Sequence, residues 1–157
     1  LDLRLGYGRK KAKRRVVYKA HDSFETMDDL FQLPCELARE SEYIDNMPTC
    51  LAACDVVVSR AGAITLSEIQ AKGKPCVLIP SPYVAENHQY HNAMALVNKG
   101  AAAIIEEKDL TGEKLANMLI EILEDKNKLQ SMRKNAKEMA ILDSTDRIIK
   151  IIEDTIK

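Results

Sequence analysis

At 157 residues, with 46% hydrophobic and 30% charged residues, the chain is long enough to fill one domain with its own core, and a formal net charge of −1 gives it no general attraction for polyanions. It holds no apolar run of the length needed to span a bilayer and no basic leader followed by an apolar core, so the expected location is the cytoplasm. The four cysteines, Cys35, Cys50, Cys54 and Cys76, form no CxxC pair and stand at no zinc-finger spacing from a histidine, so reduced structural thiols are expected and no metal or other cofactor.

Residues 1–40 and 41–157 differ in character. The first segment carries a basic block, with Arg9, Lys10, Lys11, Lys13, Arg14 and Arg15, and then an acidic one, with Asp22, Glu25, Asp28 and Asp29. Charge blocks of this kind read as a solvated arm. The basic block lacks the aromatic interleaving and motifs of nucleic-acid binders, so no nucleic-acid partner is expected. Within the arm, Val16-Val17-Tyr18 can form a short strand.

Beyond residue 40 the pattern becomes regular. Residues 41–44 suggest a strand, 48–53 a short helix, 55–59 a strand, and 65–72 a helix stopped by Gly73 and Pro75. Residues 75–80 then read as a strand, 88–99 as a helix, 102–106 as a strand, and everything from 111 to 157 as helical. This alternation implies an α/β fold, a Rossmann-like parallel sheet with helices on both faces and its ligand sites beyond the carboxyl ends of the strands. At the end of the chain, Ile148, Ile149, Ile152 and Ile156 form an apolar stripe at helical spacing, suited to core packing or to covering a neighbouring domain or subunit.

The segment Ser59-Arg60-Ala61-Gly62-Ala63-Ile64-Thr65-Leu66-Ser67-Glu68 follows the β-branched run Val56-Val57-Val58 and places a small-residue turn between strand and helix. The first N–H groups of a helix lack internal partners and its dipole is positive there, so a diphosphate fits that end. Ala61 and Gly62 are expected to keep the approach open, Thr65 to offer a hydroxyl, and Glu68 to accept hydrogen bonds from ribose hydroxyls. The plainer alternative is an ordinary βα turn with Thr65 as a cap and Glu68 as a solvated acid. A second junction, Ser81-Pro82-Tyr83-Val84-Ala85-Glu86-Asn87, leads into a helix beginning His88-Gln89-Tyr90-His91-Asn92. Gln89 and Asn92 share a helical face, where amides bind sugar hydroxyls without charge, and His88 can do the same or contact phosphate. The plainer reading makes Asn87 and His88 helix caps and His91 a surface residue.

Over about residues 41–157 these elements resemble the carboxy-terminal domain of the MurG family of N-acetylglucosaminyltransferases. The matching pieces include Tyr43-Ile44-Asp45-Asn46-Met47-Pro48, the 55–65 segment with Ser67-Glu68, Gly73-Lys74-Pro75, and 79–89 with Asn92-Ala93. They continue with Gly100-Ala101-Ala102 and Asp109-Leu110-Thr111. The resemblance implies the carboxy-terminal, donor-binding half of a GT-B glycosyltransferase, binding UDP-N-acetylglucosamine for peptidoglycan synthesis. It implies Glu68 on the ribose, Thr65 on the phosphates with Arg60 near them, and Ile64 beside the uracil. It further implies Gln89 and Asn92 on the sugar, with His88 next to them.

The implied chemistry is inversion by direct attack of a lipid-linked acceptor's hydroxyl, without a bound metal, at the inner face of the plasma membrane. Departures from the family accompany the match. The amino-terminal domain that binds the acceptor and supplies the presumed base has no counterpart, so no catalytic residue is expected here. A glycine- and serine-rich diphosphate turn is also missing, and residues 1–40 fit the family poorly. The chain is expected to be an incomplete catalyst that needs an acceptor domain. The alternative is a non-catalytic or split-subunit module, similar in layout to the two-chain N-acetylglucosaminyltransferase of the dolichol pathway.

Overall fold

A computed structural model describes residues 16–19 and 47–156. The expected strand at 41–44 and both charge blocks lie outside the described residues. Four strands, β1 (Val16–Lys19), β2 (Val56–Ser59), β3 (Cys76–Leu78) and β4 (Ala102–Ile104), form one sheet in the order β1-β2-β3-β4. All neighbours run parallel, with Val16 opposite Val56, Val57 opposite Cys76 and Cys76 opposite Ala102.

The helices are α1 (Met47–Ala53), α2 (Ala63–Ala71), α3 (His88–Val97), α4 (Gly112–Glu124), α5 (Lys126–Glu138) and α6 (Ser144–Thr155). Side-chain alternation along the strands sorts the core into two layers. Val57, Cys76, Leu78 and Ala102 pack with Leu51 of α1, Leu66 and Ile69 of α2, and Ala93 and Leu96 of α3. Val56, Val58 and Val77 face the other way, with Ile79 and Ile105, onto Leu115, Leu119, Ile122 and Leu123 of α4 and Leu129 and Met132 of α5. Both faces of β2 and β3 are therefore buried, and their apolar runs are continuous rather than alternating with polar residues.

Local signals set the boundaries. Gly73 turns the chain out of α2 at φ +57°, where a Cβ would approach Lys137 Cβ at 3.2 Å and the Arg133 carbonyl oxygen at 3.4 Å. At this point α5 lies close under the α2–β3 turn, so glycine answers both the left-handed backbone and the close approach. Lys74 Nζ then donates to the carbonyls of Ala52 and Cys54, at 2.8 and 2.9 Å, placing a cation at the carboxyl end of α1. The 111–157 stretch is not one helix. Asp125 leaves helical geometry at φ −85°, ψ 99°, and its carboxylate accepts from the N–H groups of Asn127 and Lys128, both at 2.9 Å, starting α5 afresh. A second break precedes α6, and none of that helix's residues is buried. Ile148, Ile149, Ile151, Ile152 and Ile156 are between 48% and 79% exposed, which removes the core-packing reading of the closing stripe.

Candidate functional site

Three strand-to-turn junctions meet along the carboxyl edge of the sheet. At the first, β2 ends in buried Ser59, whose hydroxyl donates to the Arg60 carbonyl. Helix α2 starts two residues earlier than its hydrophobic pattern suggests, at Ala63. Its N-cap is Gly62 at φ −71°, ψ 141°, which has no side chain to cap the turn. Thr65 therefore sits within the first turn and is not the cap.

The earliest N–H bonded inside this turn is that of Leu66, which donates to the Gly62 carbonyl at 3.0 Å. The N–H groups of Ala63, Ile64 and Thr65 precede it and point out of the helix end. A Cβ on Gly62 would meet nothing within 4 Å, so the space before this helix end is open. Ala61 has a different part from the one expected of it: it is fully buried and belongs to the core layer beneath the turn. Ile64 is 78% exposed, while Thr65 and Glu68 are half-buried one turn apart on the same face.

At the second junction, β3 runs into Pro80 and Ser81. The Ser81 N–H donates to Gln89 Oε1 at 2.9 Å, and the Ser81 hydroxyl accepts from the Tyr83 N–H at 3.3 Å. The loop closes in a 3₁₀ turn, Ala85–Asn87, with Glu86 and Asn87 both left-handed at φ 53° and 50°. Asn87 precedes α3 but makes no side-chain cap, because that backbone conformation is not the extended one a cap requires. His88 Nδ1 donates to the Ala85 carbonyl at 2.9 Å. Since a carbonyl only accepts, this contact places the proton on Nδ1. His91 is exposed, with the Tyr90 ring edge-on at 6.0 Å between centroids.

Asn92 joins the two junctions. Its Nδ2 donates to the Ala61 carbonyl at 3.2 Å, fixing the first turns of α3 against the turn before α2. Gln89 and Asn92, one turn apart, thus hold a backbone group from each loop. The third junction follows β4, where Glu107 of a short 3₁₀ turn pairs with Arg60. Arg60 Nη1 also donates to the Ile79 carbonyl, at 3.2 Å, so its side chain crosses the end of β3. Glu107 was not singled out from the sequence; the available signal was an acid placed just past the end of a parallel strand.

Of the predicted residues, Arg60, Ile64, Thr65 and Glu68 line the first junction, and His88, Gln89 and Asn92 the second. The geometry suits a polyanion that meets the end of α2, with amides and an acid arranged around it for hydroxyl groups. Among the described residues no group of three or more His, Cys, Asp or Glu side chains is placed to hold a metal ion. Desolvation pushes the Cys76 thiol up to about 12 and raises that of Cys54, consistent with inert core cysteines.

Residues 9–148 match the profile of the glycosyltransferase family 28 C-terminal domain. The chain belongs to this family. A UDP-N-acetylglucosamine–N-acetylmuramyl-(pentapeptide) pyrophosphoryl-undecaprenol N-acetylglucosamine transferase of Acetivibrio thermocellus is 51% identical over 115 residues, which are 73% of this chain and 31% of that protein. A Bacillus cereus transferase of the same description is 50% identical over 115 residues, covering 73% of this chain and 32% of the relative. The chain thus spans about a third of the length of these relatives.

Among solved structures, Acinetobacter baumannii MurG superimposes with a TM-score of 0.65 at 30% identity, covering 71% of this chain and 32% of that one. The spinosyn forosaminyltransferase SpnP shares the fold, with a TM-score of 0.59 at 18% identity over 88% of this chain and 34% of its own. The fold is therefore the Rossmann-like fold of the carboxy-terminal domain of GT-B glycosyltransferases.

Proposed function

We propose that this chain binds the nucleotide-sugar donor of a family 28 N-acetylglucosaminyltransferase, with UDP-N-acetylglucosamine as donor and an undecaprenyl-diphosphate-linked muramyl-pentapeptide as the acceptor of the complete enzyme. The observation that carries the reading is the open end of α2, with three outward N–H groups, in a turn that Asn92 ties to the second junction. The N-acetylglucosamine transferase activity named for both relatives at about 50% identity supports it.

In this reading the diphosphate meets the N–H groups of Ala63, Ile64 and Thr65, with the Thr65 hydroxyl and the Arg60 charge beside it. Glu68 accepts from the ribose hydroxyls, Ile64 lies against the uracil, and Gln89, Asn92 and His88 border the sugar. As the acceptor hydroxyl attacks the anomeric carbon, the bond to the diphosphate breaks and negative charge grows on the departing oxygen. A helix terminus aimed at that oxygen stabilises the charge as it develops and needs no reorganisation. The attacking hydroxyl loses its proton to a group supplied with the acceptor-binding part of the enzyme.

The exposed isoleucines of α6 support a companion reading: this helix is the surface on which the acceptor-binding part packs, whether in one chain or as a separate subunit. Four large aliphatic side chains on this exposed helix, with Ile156 at its carboxyl cap, form a patch of the kind that marks an interface. Among the described residues no helix is long and apolar enough to cross a membrane. In this proposal, contact with the inner face of the plasma membrane belongs to the assembled enzyme. Isothermal titration of the chain with UDP and with UDP-N-acetylglucosamine should show binding that Glu68→Ala weakens. Absence of heat with both ligands would overturn the donor-site reading.

A further inference from the structure

Arg60 and Glu107 form the one side-chain ion pair, among those described, that connects the end of β2 to the turn after β4. The two side chains are 13% and 25% exposed, and Arg60 also bonds the backbone at the end of β3 through Ile79. A partly shielded arginine–carboxylate pair that also holds a backbone carbonyl has a defined geometry, unlike a surface pair between two mobile side chains. The turn from Ser59 to Gly62 is also held through its backbone, the Ser59 carbonyl accepting from the Ile79 N–H at 2.9 Å and the Gly62 carbonyl from the Leu66 N–H at 3.0 Å, so the Arg60–Glu107 pair adds the charged tie from this turn to the third junction. Gly62 contributes no side chain, and the Ala61 carbonyl is held by Asn92 alone among the described side chains.

Building on the donor-site reading above, we propose that Glu107 is a positioning residue for the diphosphate subsite. By holding Arg60 across the carboxyl edge it fixes the backbone that leads into the open N–H groups of Ala63, Ile64 and Thr65. The third junction therefore belongs to the donor site although no Glu107 atom needs to touch the donor. Two consequences distinguish this from direct phosphate binding. Loss of the carboxylate affects ligands that carry phosphate and leaves the nucleoside contacts at Ile64 and Glu68 alone. The effect also runs through Arg60, so the two residues are energetically coupled.

The test is titration of the full chain and its variants with UDP and with uridine, with melting temperatures measured in parallel. Glu107→Ala is expected to lower UDP affinity by about five- to tenfold, the size of coupling seen between residues in direct contact. Uridine affinity stays unchanged. Glu107→Gln keeps an oxygen that accepts from Arg60 and is expected to bind UDP within about twofold of the parent. Arg60→Ala combined with Glu107→Ala should bind UDP no more weakly than Arg60→Ala alone. Unchanged or tighter UDP binding by Glu107→Ala overturns the proposal while leaving the donor site standing, as does an equal loss for uridine and UDP. A parent chain that binds neither UDP nor UDP-N-acetylglucosamine overturns both.

Discussion

Replacing Ala63 with proline separates the ligand chemistry of the α2 terminus from its structural stability. Ala63 is the first helical residue and is exposed, and its N–H lies ahead of the first intrahelical bond, which runs from Leu66 to Gly62. Proline suits this position because its fixed φ matches the helix and the N–H it lacks has no acceptor in the helix. The residue before a proline must be extended, and Gly62 already is, at φ −71°, ψ 141°. Ala63→Pro should therefore leave stability unchanged or raise it by about 0.4–1 kcal/mol through the lower entropy of the unfolded chain.

Binding should respond in the opposite direction. A hydrogen bond from this N–H to a phosphate oxygen is a bond to a charged group, worth about 1.5–3 kcal/mol, so its removal lowers UDP affinity by roughly ten- to a hundredfold. Uridine, which has no phosphate, should bind as before. Calorimetric titration with both ligands and a thermal melt of the variant give the three quantities needed. An intact fold with unchanged UDP affinity would refute placement of the diphosphate at this helix end. A marked fall in melting temperature would refute the assignment of Ala63 as the first helical residue.

Three further outcomes test the packing. Ile122 is fully buried between α4 and the sheet, so Ile122→Ala should cost about 3 kcal/mol by leaving a cavity, read from urea denaturation. Ile148→Asp with Ile152→Asp, on the exposed face of α6, should change stability by less than about 0.5 kcal/mol each. The same pair should abolish co-purification with the acceptor-binding part of a family 28 enzyme, and a large loss of stability instead would show that α6 packs on its own domain. Burial raises the Cys76 thiol from 9.0 to about 12, so the folded state holds its proton where the unfolded chain has released it. That contribution is complete below pH 9 and is lost as the pH climbs towards 12; denaturation midpoints across this range should fall less steeply in Cys76→Ala.

Much of the fold was legible locally. The β-branched Val56-Val57-Val58 run and the Gly73-Lys74-Pro75 break are short-range signals, and β2, α2, β3, α3 and β4 fall within a few residues of where they point. Even the weak Val16-Val17-Tyr18 signal corresponds to a strand, β1, paired with β2. The helical end of the chain was harder to divide, because apolar spacing continues through Asp125 and only the geometry of its capping carboxylate marks the break. The same limit applied to α6: spacing identifies an apolar face without saying what covers it.

The sequence by itself determined the alternation of strands and helices, the two junctions carrying Arg60, Ile64, Thr65, Glu68, His88, Gln89 and Asn92, and the resemblance that links them to a nucleotide sugar. Those features depend on residue type and short spacing, which a linear chain displays directly. The tertiary structure alone decided how the junctions are joined. Asn92 reaches the Ala61 carbonyl across 31 positions, and Arg60 reaches Glu107 across 47. The same packing turned Ala61 into the core and left the α6 isoleucines uncovered. Periodicity assigns a side chain to a face, but which distant group meets that face depends on how the parallel strands stack, and no local pattern records that order.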